Sequence, residues 1–155
     1  MKGNQAIING LNALLSYELA AMDQYFIHSQ MYLDWGLNKL YERIDHEFDD
    51  ERGHATKLIE RMLFLEGTPD MTKRTGFKVG KDVPEMLECD LRVEYEVDAK
   101  LREVIALCET EKDYVTRDML IVLLDDTEMD HAHWLEQQLG LIKRIGLSNY
   151  LQSQM

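Results

Sequence analysis

Four long stretches of this chain carry apolar residues at three- and four-residue spacing, and little interrupts them. The 155 residues include two prolines, Pro69 and Pro84, and nine glycines that fall mostly outside the periodic runs. The first run extends from about Ile7 to Trp35 through Leu11, Leu14, Leu15, Met22 and Phe26, ahead of a turn at Gly36 and Asn38. The second covers about Lys39 to Glu66, with Gly67 and Pro69 as stop signals. Asp82 and Pro84 mark the start of a third that reaches about Thr110. Asp113 opens a fourth that lasts to about Ile145, before Gly146, and Ser148 to Gln154 suffices for one short terminal helix.

Four helices of this size are each roughly 42 to 48 Å long at 1.5 Å per residue, which suits a bundle. Tight turns make the first and second, and the third and fourth, antiparallel hairpins. The polar, aperiodic stretch of roughly 16 residues from Gly67 to Asp82 is long for a compact domain and is best explained as a crossover running the length of the bundle. The expectation is a single all-α domain over residues 1–155: a four-helix bundle with a long crossover between the second and third helices and a short fifth C-terminal helix.

An apolar fraction of 45% against 30% charged residues supplies a real core and argues against disorder. The net charge of −12 disfavours nucleic acid and anionic membranes as partners and favours cations. No stretch approaches the roughly 18 apolar residues of a membrane span, and Met1 to Gly10 lacks a signal-peptide pattern, so a cytoplasmic protein is expected. Cys89 and Cys108, placed on one helix, would sit about 28 Å apart, far beyond disulfide reach.

Chemistry emerges where the core-facing stripes are broken. Glu128 and His131 interrupt Leu120, Leu124, Leu135, Leu139 and Ile142 on the fourth helix, and Glu51 and His54 interrupt Ile44, Phe48, Leu58, Met62 and Leu65 on the second. Glu18 breaks the first stripe and Glu94 the third. Glu18 to Glu51 is 33 residues and Glu94 to Glu128 is 34, and each later Glu precedes a His by three, so two copies of one hairpin are implied. Asp130 and His133 share that spacing, but their polar neighbours Asp126, Glu136 and Gln137 mark them as solvated.

Four carboxylates forced together in a bundle interior cannot all stay ionised without cations. Two divalent irons balance them, and mixed carboxylate and imidazole ligands suit iron or manganese better than calcium or magnesium. One Glu from each of two helices plus Glu-x-x-His from each of the other two is the di-iron pattern of ferritin-like bundles.

The order Glu18, Glu51-x-x-His54, Glu94, Glu128-x-x-His131, with Tyr25 one stripe step from Glu18, resembles the ferritin superfamily and specifically the bacterioferritins. The segments Asn12 to Tyr25, Ile59 to Gly67, Trp134-Leu135-Glu136 and Gly146 to Gln154 extend the resemblance over the whole chain. It implies that Glu18 and His54 bind one iron and Glu94 and His131 the other, with Glu51 and Glu128 bridging. It further implies oxidation of Fe(II) by dioxygen or peroxide and storage of ferric mineral in a 24-subunit shell.

The same resemblance places an inner-surface iron site at His46 and Asp50, although His46, Glu47, Asp49 and Asp50 also read as a solvated helix face. Tyr25 and Trp134 become electron donors or, equally, ordinary core aromatics. Asn149 and Gln152 match fourfold-pore residues. Bacterioferritins bind haem b through a Met directly after the bridging Glu of the second helix, a position held here by Arg52, which cannot serve as an axial ligand. The implied type is therefore the haem-poor or haem-free subunit, which forms homopolymers or co-assembles with a haem-binding subunit, with a ferredoxin-type reductant for iron release. Met31 and Met86 match other haem-pocket positions but suit core filling equally. A rubrerythrin-type di-iron peroxidase or oxygenase and a non-catalytic helical assembly are the alternatives.

Overall fold

A computed structural model describes residues 1–155. It comprises α1 (Gln5–Asp34), α2 (Asn38–Phe64), α3 (Val83–Thr110), α4 (Tyr114–Asp126), a π turn (Thr127–Ala132), α5 (His133–Ile145) and α6 (Leu147–Ser153). The last long helix is thus one rod with a π segment in its middle. The expected architecture holds: all helices, four long rods, one long crossover and a short terminal helix. No helix is long and apolar enough to cross a membrane.

Side chains cap the starts of α1, α3 and α4. Asn4 Oδ1 accepts from the Ala6 amide at 2.7 Å, and Asp82 Oδ1 accepts from Glu85 at 3.0 Å with Pro84 in the first turn. Asp113 accepts from both the amide and the hydroxyl of Thr116, at 3.0 and 2.6 Å. Arg61 on α2 then reaches across, donating to Asp113 at 3.2 Å and to the Thr116 hydroxyl at 2.8 Å, and so ties the start of α4 to the end of α2.

Three helix ends share one stop. The amides of Leu37, Gly67 and Asp113 reach back to the carbonyls of Tyr32, Met62 and Cys108, each following a residue with positive φ: Gly36, Glu66 and Lys112. Gly67 is therefore not the left-handed residue of its turn. Its need for glycine is steric, because a Cβ there would lie 2.8 Å from Ile8 Cγ2.

The crossover does run along the bundle, and α1 carries it. Asn12 donates to the Thr68 carbonyl and accepts from the Asp70 amide, Thr75 donates its amide to the Ser16 carbonyl, and Gln24 donates to the Lys78 carbonyl. His28 finishes the track by accepting from the Gly80 amide at 3.1 Å. These steps along α1 satisfy loop backbone groups that would otherwise be left without partners.

A core of leucines, isoleucines and valines fills the bundle, from Ile7, Leu11 and Leu14 through Leu58, Met62, Val97 and Leu101 to Leu120 and Leu135. Met86 is buried in it, whereas Met31 is only partly buried against it. Cys89 and Cys108 are buried free thiols on α3.

Asp113→Ala should lower stability by about 1 to 2 kcal/mol, the usual size of a lost cap with a charged partner. Burial alone would raise the Asp113 carboxyl, but Thr116 and the Arg61 guanidinium hold it below its ordinary value. Its contribution is thus complete above that ordinary value and disappears as pH falls through the lower, folded one. Urea denaturation of parent and variant across the acid range should show the gap closing at low pH.

Candidate metal centre

Four rods send ionisable groups to one level of the bundle interior. Glu18 comes from α1, Glu51 and His54 from α2, Glu94 from α3 and His131 from the π turn, and each is at most 3% exposed. Glu51 is central. One of its oxygens lies 2.8 Å from His131 Nδ1 and the other 3.4 Å from His54 Nδ1. Glu18 flanks the His54 side at 3.8 Å and Glu94 the His131 side at 3.4 Å. The two imidazoles stack, with centroids 5.5 Å apart and planes 17° from parallel.

The result is two triads sharing Glu51: Glu18, Glu51, His54 and Glu51, Glu94, His131, each with its ligand atoms within 4.8 Å of one another. Both oxygens of Glu18 and of Glu51, Glu94 Oε2, His54 Nδ1 and both nitrogens of His131 are buried without a hydrogen-bond partner. Orphaned polar atoms at this density are rare in folded proteins, and these oxygen and nitrogen donors are of the kind that could hold a metal ion.

Protons substitute for metal in the electrostatics. Burial and the Glu51 charge push the Glu18 carboxyl well up, and the same two causes push Glu94 up to about 7. Burial would raise Glu51 too, but contacts with Glu18 and both imidazoles hold it well down. Burial would depress His54, yet Asp126, Glu18 and Glu51 bring it up to about 12. His131 is likewise driven far above its ordinary value, with Glu94, Glu47 and Glu51 outweighing burial.

The outward nitrogens of both histidines also meet carboxylates. Asp126 Oδ2 lies 2.6 Å from His54 Nε2, and Glu47 Oε2 lies 2.9 Å from His131 Nε2. The Asp126 hydrogen bond keeps the proton of His54 on its outward nitrogen and leaves Nδ1 facing inward, while Glu47 sets a negative charge beside the outward nitrogen of His131. Tyr25, fully enclosed, donates its hydroxyl to Glu94 and sits edge-on to the His131 ring.

Five of the six ligand positions expected from sequence converge here; Glu128 does not. It is partly exposed and pairs with Arg102, which also holds Asp98 at 2.9 Å. The physical reason is the π turn. Glu18 to His54 is 36 residues and Glu94 to His131 is 37, and a π turn absorbs one residue more than an α turn. His131 returns to the interior, Thr127 takes the buried position 33 residues after Glu94, and Glu128 is rotated outward.

His46 is exposed and lies 3.2 Å from Asp50, whose same oxygen is 3.6 Å from His131 Nε2, so the pair forms the outer margin of the cluster. Asp130 keeps its side chain partly exposed and pairs with Arg43. His133 is exposed as expected, 3.9 Å from Glu136. Trp134 lies under the Arg43 guanidinium, and Arg52 is exposed beside Asp49. Asn149 is exposed, with its amide donating to the Ile145 carbonyl one turn back, and Gln152 is exposed too.

Sequence reasoning missed Glu47 and Asp126. Glu47 stands one turn before Glu51 on the same stripe, a usable signal hidden by the acidic run around it. Asp126 is five residues before His131, a spacing that shares a face only across a π turn, and no helical period reveals it.

The family model described as a ferritin-like domain matches residues 8–145. The chain belongs to the ferritin family. Among curated ferritin relatives, a protein named bacterial ferritin from Synechocystis sp. is 63% identical over 155 residues, covering 100% of this chain and 99% of its own. Another of that name from Pseudomonas aeruginosa is 59% identical with full coverage of both chains. A protein named bacterioferritin from Brucella melitensis is more distant, at 38% over 150 residues, 97% of this chain and 92% of its own.

Loading this ferritin centre with a divalent ion should release protons, because metal takes the inward nitrogens and carboxylates that now hold them. Calorimetric titration of metal-free protein with Zn(II), in two buffers of different ionisation enthalpy, counts the protons. A heat independent of buffer would contradict this charge state.

Proposed function

We propose that this chain is an iron-storage ferritin that oxidises Fe(II) at a di-iron centre formed by Glu18, Glu51, His54, Glu94 and His131. The observation that carries the reading is the set of buried, partnerless oxygen and nitrogen atoms on the two triads that share Glu51. Iron(II) is the substrate. Glu51 faces both triads and is placed to hold two ferrous ions at once; Glu18 with His54 and Glu94 with His131 hold one each. Two ferrous ions supply the two electrons that, with two protons, reduce one dioxygen to hydrogen peroxide or one hydrogen peroxide to two waters. Tyr25, hydrogen-bonded to Glu94 and edge-on to His131, is a redox-capable side chain in contact with the centre for a further single electron.

The product is stored as mineral in a hollow shell of 24 copies, each chain contributing one domain over residues 1–155, in the cytoplasm. The subtype is the haem-poor or haem-free bacterioferritin subunit, working as a homopolymer or beside a haem-binding subunit, with a ferredoxin-type protein as reductant for release. The resemblance at Gly146 to Gln154 and the exposed Arg52 at the haem-ligand position support this. His46 and Asp50 form the inner-surface station for iron, and Glu128 is an outer carboxylate that Arg102 restrains.

His131→Ala should slow ferrous oxidation by about tenfold or more in stopped flow, since it removes a direct ligand, while the shell still elutes at several hundred kilodaltons in size exclusion. Oxidation at the parent rate would falsify the assignment of the centre.

Homopolymer purified from cells should show no Soret band of one haem per pair of chains. A band of that size would mean that some residue other than position 52 ligates haem.

A further inference from the structure

His131 is the one ligand of the centre that sits on the π turn, the least regular segment of the rods, and a single residue braces it from two sides. Arg43 on α2 forms an ion pair with Glu47 one turn along the same helix. Its Nη2 donates to the Asp130 carbonyl at 3.2 Å and to Asp130 Oδ1 at 3.0 Å. Its guanidinium carbon lies 4.8 Å from the ring centroid of Trp134, at the start of α5. Glu47 in turn stands 2.9 Å from His131 Nε2.

We propose that Arg43 is a positioning residue for the metal centre. Through Glu47 it holds a carboxylate 2.9 Å from the outward nitrogen of His131, and through the Asp130 carbonyl it clamps the π-turn backbone that carries His131. This rests on the metal-centre reading above.

The chemistry suits arginine and no other cation. Glu47 is 1% exposed, and a carboxylate so buried needs a counter-ion that remains charged after losing water. Glu47 meets Nε, Asp130 meets Nη2 and the Trp134 ring lies against the guanidinium carbon, three contacts that a planar fork with a stacking surface makes together and an ammonium does not. Asp130 lends a backbone carbonyl from inside the π turn, where the ordinary helical hydrogen-bond ladder is interrupted. Arg43 touches none of the inward ligand atoms, so it acts on one triad only. His54 has its own support in Asp126.

Selectivity between the two triads is the test. Metal-free shells of the parent, Arg43→Gln, Arg43→Lys and Glu47→Gln would be titrated with Co(II), following its visible absorption and the heat of binding. Thermal midpoints and shell size would be recorded alongside. The parent should take two Co(II) per chain. In Arg43→Gln and Glu47→Gln one of the two should weaken by about 10- to 100-fold, the scale on which outer-shell partners of metal-bound histidines act, while the other stays within twofold. Arg43→Lys should recover only part of the loss. Glu47→Gln is nearly isosteric and removes a buried charge, so it carries the test if Arg43→Gln fails to fold.

Two parent-like sites in Arg43→Gln or Glu47→Gln, or equal weakening of both sites together with a lowered thermal midpoint, would overturn the inference. Full recovery by lysine would overturn the role given to the fork. A parent that takes no Co(II) fails the underlying metal-centre reading instead, and the two failures are thus distinguishable.

Discussion

The position of Glu51 between two imidazoles governs the architecture around it. A carboxylate removed from water loses its hydration, and only close positive charge restores the balance. Here that charge comes from His54 on α2 itself and from His131 on the last rod, so α2 cannot shift along α4 and α5 without separating Glu51 from His131. Glu18 and Glu94 then stand on either side of charges already in place. The polar level is also a registration mark for the bundle, since leucine layers alone tolerate sliding and repacking far better than an ionic cluster does.

Around that level the fold is arranged to keep α2 fixed. Arg61 joins its C-terminal end to the cap of α4, and Arg43 joins its N-terminal half to the π turn. The crossover satisfies its own backbone against α1, so it draws on none of the groups that build the centre. Polar side chains of α1 thereby serve two purposes at different levels: Glu18 faces inward to the centre, and Asn12, Ser16, Gln24 and His28 receive the loop.

Much of this was legible in the chain. The four rods, both hairpins and the crossover followed from periodicity, from the caps at Asp82 and Asp113 and from the polar stretch between Gly67 and Asp82. Glu18, Glu51, His54, Glu94 and His131 stood out because ionisable groups interrupted apolar stripes. Where the reading failed it assumed a uniform 3.6-residue period. Glu128 lies on the expected face only if the last rod is α-helical throughout, and Asp126 reaches His54 only because it is not. The Asp130–Arg43 pair spans 87 residues of sequence and leaves no local signature, and Glu66 and Lys112 gave no hint that non-glycine residues would take left-handed turns.

One extra residue in a continuous helix turns everything beyond it by about 100°. The π turn confines that rotation to Thr127–Ala132, so α5 and α6 keep their seats and only the carboxylates beside the turn change direction. A chain shorter by one residue at this point would have the same bundle and the same two histidines, with a different acid presented to the centre. Insertion and deletion, rather than substitution, thus provide a route by which one scaffold exchanges a ligand without disturbing its core.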